Sequence, residues 1–131
     1  MERKIVKKAF EALENAYAPY SNYKVGACVE TKDGSFFLGA NIENASYGAT
    51  NCGERSAIFA AYSCGYRKED IKAIAIVSNG KKIGMPCGIC RQVLSELLQM
   101  DTVIILSNGI DVLESNMNEL LPFSFSHEDL L

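Results

Sequence analysis

The sequence has no apolar run approaching the roughly 18–20 residues of a membrane-spanning helix. Its opening stretch, MERKIVKKAFEALENAY, is charged throughout and lacks the continuous apolar core and small-residue cleavage site of a secretory leader. Those two absences lead us to expect a soluble, cytoplasmic protein with no membrane partner. Basic excess is also missing: Lys and Arg number 13 against 16 Asp and Glu, and the net charge is −3. With no basic patch and no like-charge run, the chain carries no electrostatic footprint for nucleic acid. It has no internal repeat, no low-complexity segment and no interior linker, so one domain over residues 1–131 is expected. An even cysteine count is lacking too. Five cysteines in a cytosolic chain argue against a disulfide framework and leave metal binding or plain burial. The single histidine, His127, lies in a tail without periodicity and reads as a surface residue.

What is present suffices for a core, since 48% of the residues are hydrophobic. Apolar positions Ile5, Val6, Ala9, Phe10, Leu13 and Ala16 fall at helical spacing, and Pro19 is the expected breaker. YKVGACVET and SFFLGANIE read as paired strands around a KDG turn. A helix is expected from Cys52 to Cys64, with Asn51 as N-cap and Gly65 as its stop. IKAIAIVSNG and TVIILSN read as buried strands on either side of a helix over Gly88–Met100. A short helix is expected at NMNELLP, ended by Pro122. The order α-β-β-α-β-α-β predicts an α/β domain with helices on both faces of a mixed sheet.

Two stretches carry the chemistry. In TNCGERSAIFAAY a cysteine precedes a glutamate by two residues at an expected helix start; in MPCGICRQVLSELL two cysteines sit three apart at another. Cys87 and Cys90 share one side of a helical turn. Alone, that pair could be half a zinc site, a redox couple or chance. Cys52 adds a third thiol. Three thiolates can hold zinc tetrahedrally and leave a fourth position open, as catalytic sites do. Helix N-termini favour the deprotonated thiol that metal binding requires. Three thiolates leave the site negative, so a cation is needed nearby; Arg55 and Arg91 each directly follow a site residue. Glu54 stands where a carboxylate could move protons between metal-activated water and a substrate.

C-x-E followed by P-C-x-x-C resembles the zinc-dependent cytidine deaminases, a signature known with its chemistry for nucleobase deaminases. YAPYSNYKVGA, NIENASY, CGERSAIFAA, PCGICRQVLSE and ELLPFSFSHEDL follow in order over nearly the whole chain, most like the short, homotetrameric enzymes of free nucleosides. The resemblance implies a three-layer α/β/α fold with a mixed five-stranded sheet. It implies one zinc per subunit on Cys52, Cys87 and Cys90, with Glu54 as proton shuttle and Arg55 offsetting thiolate charge. Cytidine and 2′-deoxycytidine would be deaminated at C4, in pyrimidine salvage. Asn41 and Glu43 would bind the sugar hydroxyls, and Tyr23 would flank the pyrimidine where relatives usually carry phenylalanine. Gly53 stands where alanine is commoner and would offer its backbone to the substrate. Tyr47 and Phe125 would reach the active site of a neighbouring subunit; Phe123 departs from the small residue common there.

Taken singly, several of these residues have plainer readings. Cys28 and Cys64 read as buried small hydrophobes, Glu54 as a first-turn glutamate favoured by the helix dipole, and Arg91 as structural or solvated. Tyr47, Phe123 and Phe125 would be packing aromatics, and Asn41 and Glu43 loop polars. Rival functions are a purely structural zinc module with four thiolates, a deaminase of another aminopyrimidine such as blasticidin S, and nucleic-acid editing. The acidic balance disfavours the last, and the intact NIEN favours an ordinary nucleoside.

Overall fold

The computed structural model describes residues 3–130. The span expected for the domain, 1–131, includes Met1, Glu2 and Leu131, which lie outside the described residues. The elements are α1 (Lys4–Leu13), β1 (Val25–Thr31), β2 (Phe36–Ala40), α2 (Gly53–Ser63), β3 (Ile71–Ser78), α3 (Gly88–Leu97), β4 (Val103–Ser107), β5 (Val112–Ser115) and α4 (Met117–Leu120). Short 3-10 turns occupy Tyr47–Ala49, Lys68–Asp70 and His127–Leu130.

The strands form one mixed sheet in the order β2-β1-β3-β4-β5. β1 is antiparallel to both β2 and β3, β3 is parallel to β4, and β4 is antiparallel to β5. β2, β3 and β4 therefore share one direction. Two helical crossovers, β2–α2–β3 and β3–α3–β4, follow from that. They bring the N-termini of α2 and α3 to the carboxyl ends of β2 and β3, the end of an α/β sheet where ligands usually bind.

Helices cover both faces, giving the three layers expected. On one side α1 sets Ile5, Val6, Ala9 and Leu13 against Cys28, Ala73, Ala75, Val77 and Ile105. On the other, α2, α3 and α4 bury Ile58, Leu94, Met117 and Leu120 on Val29, Ile74, Ile76, Ile104 and Leu106. The alternation along β3 is sorted by size: Ala73 and Ala75 face the single helix, Ile74 and Ile76 face the three. Both sides are buried, which is why this strand reads as a continuous apolar run.

Two glycines set the distance of the helices from the sheet. A Cβ on Gly26 would collide with Ala9 O and Leu13 N of α1; one on Gly39 would collide with Ala57 N and Gly53 O of α2. Gly26 and Gly39 stand on adjacent, paired strands but open toward opposite layers.

Some boundaries differ from the sequence expectation. α1 ends at Leu13, well before Pro19, because Tyr17 is drawn into a bridge with Ile42. There Tyr17 N donates to Asn41 O at 2.9 Å and Glu43 N donates to Tyr17 O at 2.8 Å. The N-cap of α2 is Cys52 rather than Asn51, whose amide instead donates to Ser56 Oγ at 2.8 Å. α3 stops at Leu97, three residues short of the expected Met100. No sequence pattern marks β5, although the resemblance implies a fifth strand. Val112, Leu113 and Glu114 are all exposed on this edge strand, so no alternation marks it.

Replacing Gly39 by alanine must push α2 off the sheet. We expect Gly39→Ala to lose about 1–3 kcal/mol of stability, the usual range for overpacking, in chemical denaturation. Gly48→Ala, where nothing lies within 4 Å of the added methyl, is the matched control and should unfold like the parent.

Candidate active site

Cys52 and Cys87 are the N-cap residues of α2 and α3, both in extended backbone, so their side chains leave the helices at the point where the two crossovers meet. Cys90 follows one turn into α3 and is fully buried. The three sulfurs lie within 4.8 Å of one another, and Cys52 Sγ is 3.9 Å from Cys87 Sγ. Zinc–sulfur bonds of about 2.3 Å at tetrahedral angles place sulfurs about 3.8 Å apart. The Cys52–Cys87 spacing matches that geometry, and the three sulfurs are close enough together to hold the ion. The donor set agrees, since three soft thiolates suit zinc and leave one tetrahedral position for a ligand.

The surroundings already favour negative charge on sulfur. Arg55 Nη2 donates to Cys52 Sγ at 3.3 Å, and the Cys90 amide donates to Cys87 Sγ at 3.4 Å. Cys52 is pulled down to about 5 by hydrogen bonding from the Cys90 thiol and then by Arg55. Cys90 is pushed up by that same pairing and by burial. Arg55 is the cation that the sequence required. Arg91 is not: its Nε donates to Pro86 O and its Nη1 to Leu120 O, both at 2.8 Å, bracing the turn that carries Cys87. The remaining cysteines stand apart. Cys28 is buried on the α1 side of the sheet, while Cys64 caps the far end of α2, roughly 16 Å along an 11-residue helix. Contrary to expectation Cys64 is exposed, because Gly65 (φ 96°) turns the chain away just beyond it. The fourth thiolate of a structural zinc module is thus lacking among the described residues.

Glu54 occupies the first turn of α2 and is only 4% exposed. Burial pushes its carboxyl up to about 7, and the neighbouring Cys52 charge adds to this. Gly53 is buried beside it; a methyl there would stand 3.1 Å from Val25 O and 3.2 Å from Val25 Cγ1, a close fit for the alanine commoner in relatives.

The other anticipated residues fall into separate groups. Asn41 is buried, its Nδ2 donating to Tyr23 O at 2.8 Å and its Oδ1 accepting from Val25 N at 2.9 Å. Glu43 accepts from Tyr20 N and Ser21 N at 2.9 and 3.1 Å, and from the Ser21 hydroxyl. Those contacts hold its carboxyl below the usual range, the hydroxyl most of all. Glu43 lines a cavity of about 300 Å³ with Tyr20, Ser21, Tyr47 and Thr50. Tyr47 stacks edge-on against Tyr20 at 5.9 Å. Tyr23 lies elsewhere, against the 79–85 loop; its hydroxyl occupies the space a side chain on Gly84 would fill. Phe125 is held by its carbonyl, which accepts from Gln92 Nε2 at 2.8 Å, in a tail groove with His127. It does not line the Glu43 cavity within this chain. Phe123 is 94% exposed. Sequence reasoning passed over Ser21 and Asn79. Ser21 stood inside the quoted PYSNY without a role; Asn79, which accepts from Lys24 N at 3.0 Å, gave no signal at all.

Because the metal would join two helices, removing one ligand should cost binding and stability together. Cys87→Ala is expected to purify with little zinc by elemental analysis and to melt below the parent. Cys64→Ala, remote from the cluster, should keep both properties.

The comparisons agree with this geometry. Residues 1–107 match the family model described as the cytidine and deoxycytidylate deaminase zinc-binding region. The chain is 52% identical to a cytidine deaminase of Halalkalibacterium halodurans over 96% of this chain and 95% of the relative. Against a cytidine deaminase of Sporosarcina psychrophila it is 42% identical, over 97% and 93%. The crystal structure of cytidine deaminase from Burkholderia pseudomallei superposes with a TM-score of 0.90 at 44% identity, covering 95% of this chain and 99% of that one. Three clustered thiols at two helix starts, a buried carboxyl beside them and these likenesses together lead to one conclusion: the chain belongs to the cytidine and deoxycytidylate deaminase family of zinc hydrolases.

Proposed function

We propose that this chain, acting as one domain over residues 1–131, hydrolyses cytidine and 2′-deoxycytidine to uridine and 2′-deoxyuridine with release of ammonia, in cytoplasmic pyrimidine salvage. The observation that carries the reading is the Glu54 carboxyl, buried in the first turn of α2 two residues after Cys52 and raised toward neutrality by that burial. Held by Cys52, Cys87 and Cys90, zinc supplies the Lewis acidity that activates water.

Glu54 does the proton work. With its carboxyl raised by burial, it can accept a proton from the attacking water and deliver it to cytosine N3, then take the second water proton from the C4 hydroxyl and pass it to the departing amine. The water oxygen ends on C4, the C4–N bond breaks and ammonia leaves. Arg55 keeps the sulfur cluster charged without leaving it uncompensated. Asn41 and Glu43 bind the sugar, and the negative Glu43 disfavours a 5′-phosphate, so free nucleosides are preferred. Gly53 offers backbone, and Tyr23 an aromatic face, to the base.

Tyr47 and Phe125 complete the pocket of an adjacent subunit in a homotetramer. Their exposure in the single chain, 71% and 58%, supports this role, because aromatic rings so placed gain burial by association.

Purified zinc-loaded protein should deplete cytidine absorbance with equimolar ammonia. Glu54→Gln should lower kcat by about 10²–10⁴-fold, the usual worth of general acid–base catalysis, while keeping its zinc. A variant with parental turnover would remove Glu54 from the mechanism. Dilution below the dissociation constant of the assembly should lower specific activity; a fully active monomer would exclude shared sites.

A further inference from the structure

We propose that Ser21 is a positioning residue for sugar recognition: its hydroxyl fixes the Glu43 carboxylate and takes its own orientation from the Tyr23 amide. The inference rests on the reading that Asn41 and Glu43 meet the sugar, and extends it to a residue with no assigned role.

The hydrogen bonds form a directed chain. Tyr23 N donates to Ser21 Oγ at 3.0 Å. With that lone pair occupied, the one hydroxyl proton is free to point at Glu43 Oε2, where the contact lies. Tyr23 O meanwhile accepts from Asn41 Nδ2 at 2.8 Å, and Asn41 Oδ1 accepts from Val25 N at 2.9 Å. Asn41 and Glu43, two apart in sequence, are thus joined through the Tyr23 peptide and the Ser21 hydroxyl.

The count of acceptor sites says what this does for a ligand. An ionised carboxylate offers about four lone-pair positions. On Glu43, Oε1 is taken twice, by Tyr20 N and Ser21 N. Oε2 is taken once, by Ser21. One position remains, beside the cavity that Tyr20, Ser21, Tyr47 and Thr50 enclose with Glu43. A single free acceptor of fixed direction suits one hydroxyl donor. Without the Ser21 hydroxyl, Oε2 loses its only donor within the described residues. The group can then swing about Oε1, and the remaining acceptor loses its aim. The base and the metal are not touched, so binding should suffer and chemistry should not.

The test is steady-state kinetics of the zinc-loaded enzyme with cytidine and with 2′,3′-dideoxycytidine, which lacks the 2′- and 3′-hydroxyl donors and keeps the 5′-hydroxyl. Ser21→Ala should raise the cytidine KM about tenfold, the worth of one charge-assisted hydrogen bond, with kcat within about twofold of the parent. That pattern marks lost uniform binding. The preference for cytidine over the dideoxy analogue, in kcat/KM, should shrink about tenfold. Ser21→Thr keeps the hydroxyl and should keep the preference. Glu43→Gln is the control for the underlying reading. If Glu43→Gln abolishes the preference while Ser21→Ala retains it, the role of Ser21 is overturned and the sugar reading stands. If Glu43→Gln also retains it, the sugar reading itself fails and takes this inference with it. Ser21→Ala and Ser21→Thr both losing kcat, zinc content and melting temperature together would make Ser21 a structural residue and overturn the proposal.

Discussion

Like-charge repulsion among three sulfurs is the constraint around which the rest of this structure is arranged. Sulfurs within 4.8 Å of one another cannot all ionise in a partly buried site unless something cationic offsets them. The protein meets this with several modest devices. Two helix N-termini point at the cluster, the Cys90 amide donates to one sulfur and a guanidinium donates to another. A divalent ion completes the balance. To bring two N-termini to one point, the chain needs two crossovers leaving the same end of a sheet, and the shared direction of β2, β3 and β4 provides them.

The scaffold also sets the chemistry through distance. Burial raises the Glu54 carboxyl above the usual range, and the first turn of α2 is buried because the helix lies directly on β2. That contact exists only because residue 39 has no side chain. A strand glycine in one layer thus governs the acidity of a carboxyl in another. The size sorting along β3 serves the same end: small residues suffice under α1, while the large ones support the layer that bears the site.

Strong periodicity and strong motifs were legible in the sequence; contacts made across the chain were not. Four of the strands and the helices over the cysteines declared themselves through apolar runs, caps and the Gly65 stop. β5 was silent because an exposed edge strand buries neither face. The end of α1 was misplaced because Tyr17 answers to Ile42, some 25 residues away, and not to the nearby proline. The three cysteines and Glu54 could be singled out because they stand at expected helix starts, while the ligand set and the role of Glu54 came from the resemblance. The task of Arg91 could not, since its acceptors, Pro86 O and Leu120 O, come together only in three dimensions. Asn41 and Glu43 were named by resemblance, yet what holds them was invisible, being a relay through a backbone peptide and a serine hydroxyl.

The bond from Arg91 to Leu120 O has a bearing on how the protein is made. Synthesis proceeds from the N-terminus, and domains begin to fold as they emerge. All three thiols leave the ribosome before residue 120 does, so a nascent chain presents the complete cluster while its outer brace is still missing. During that interval Pro86 O is the only backbone anchor available to the Arg91 guanidinium, and the Cys87 turn is held on one side alone. The turn that carries Cys87 is therefore among the last parts of the fold to be fixed, after all three thiols have been made.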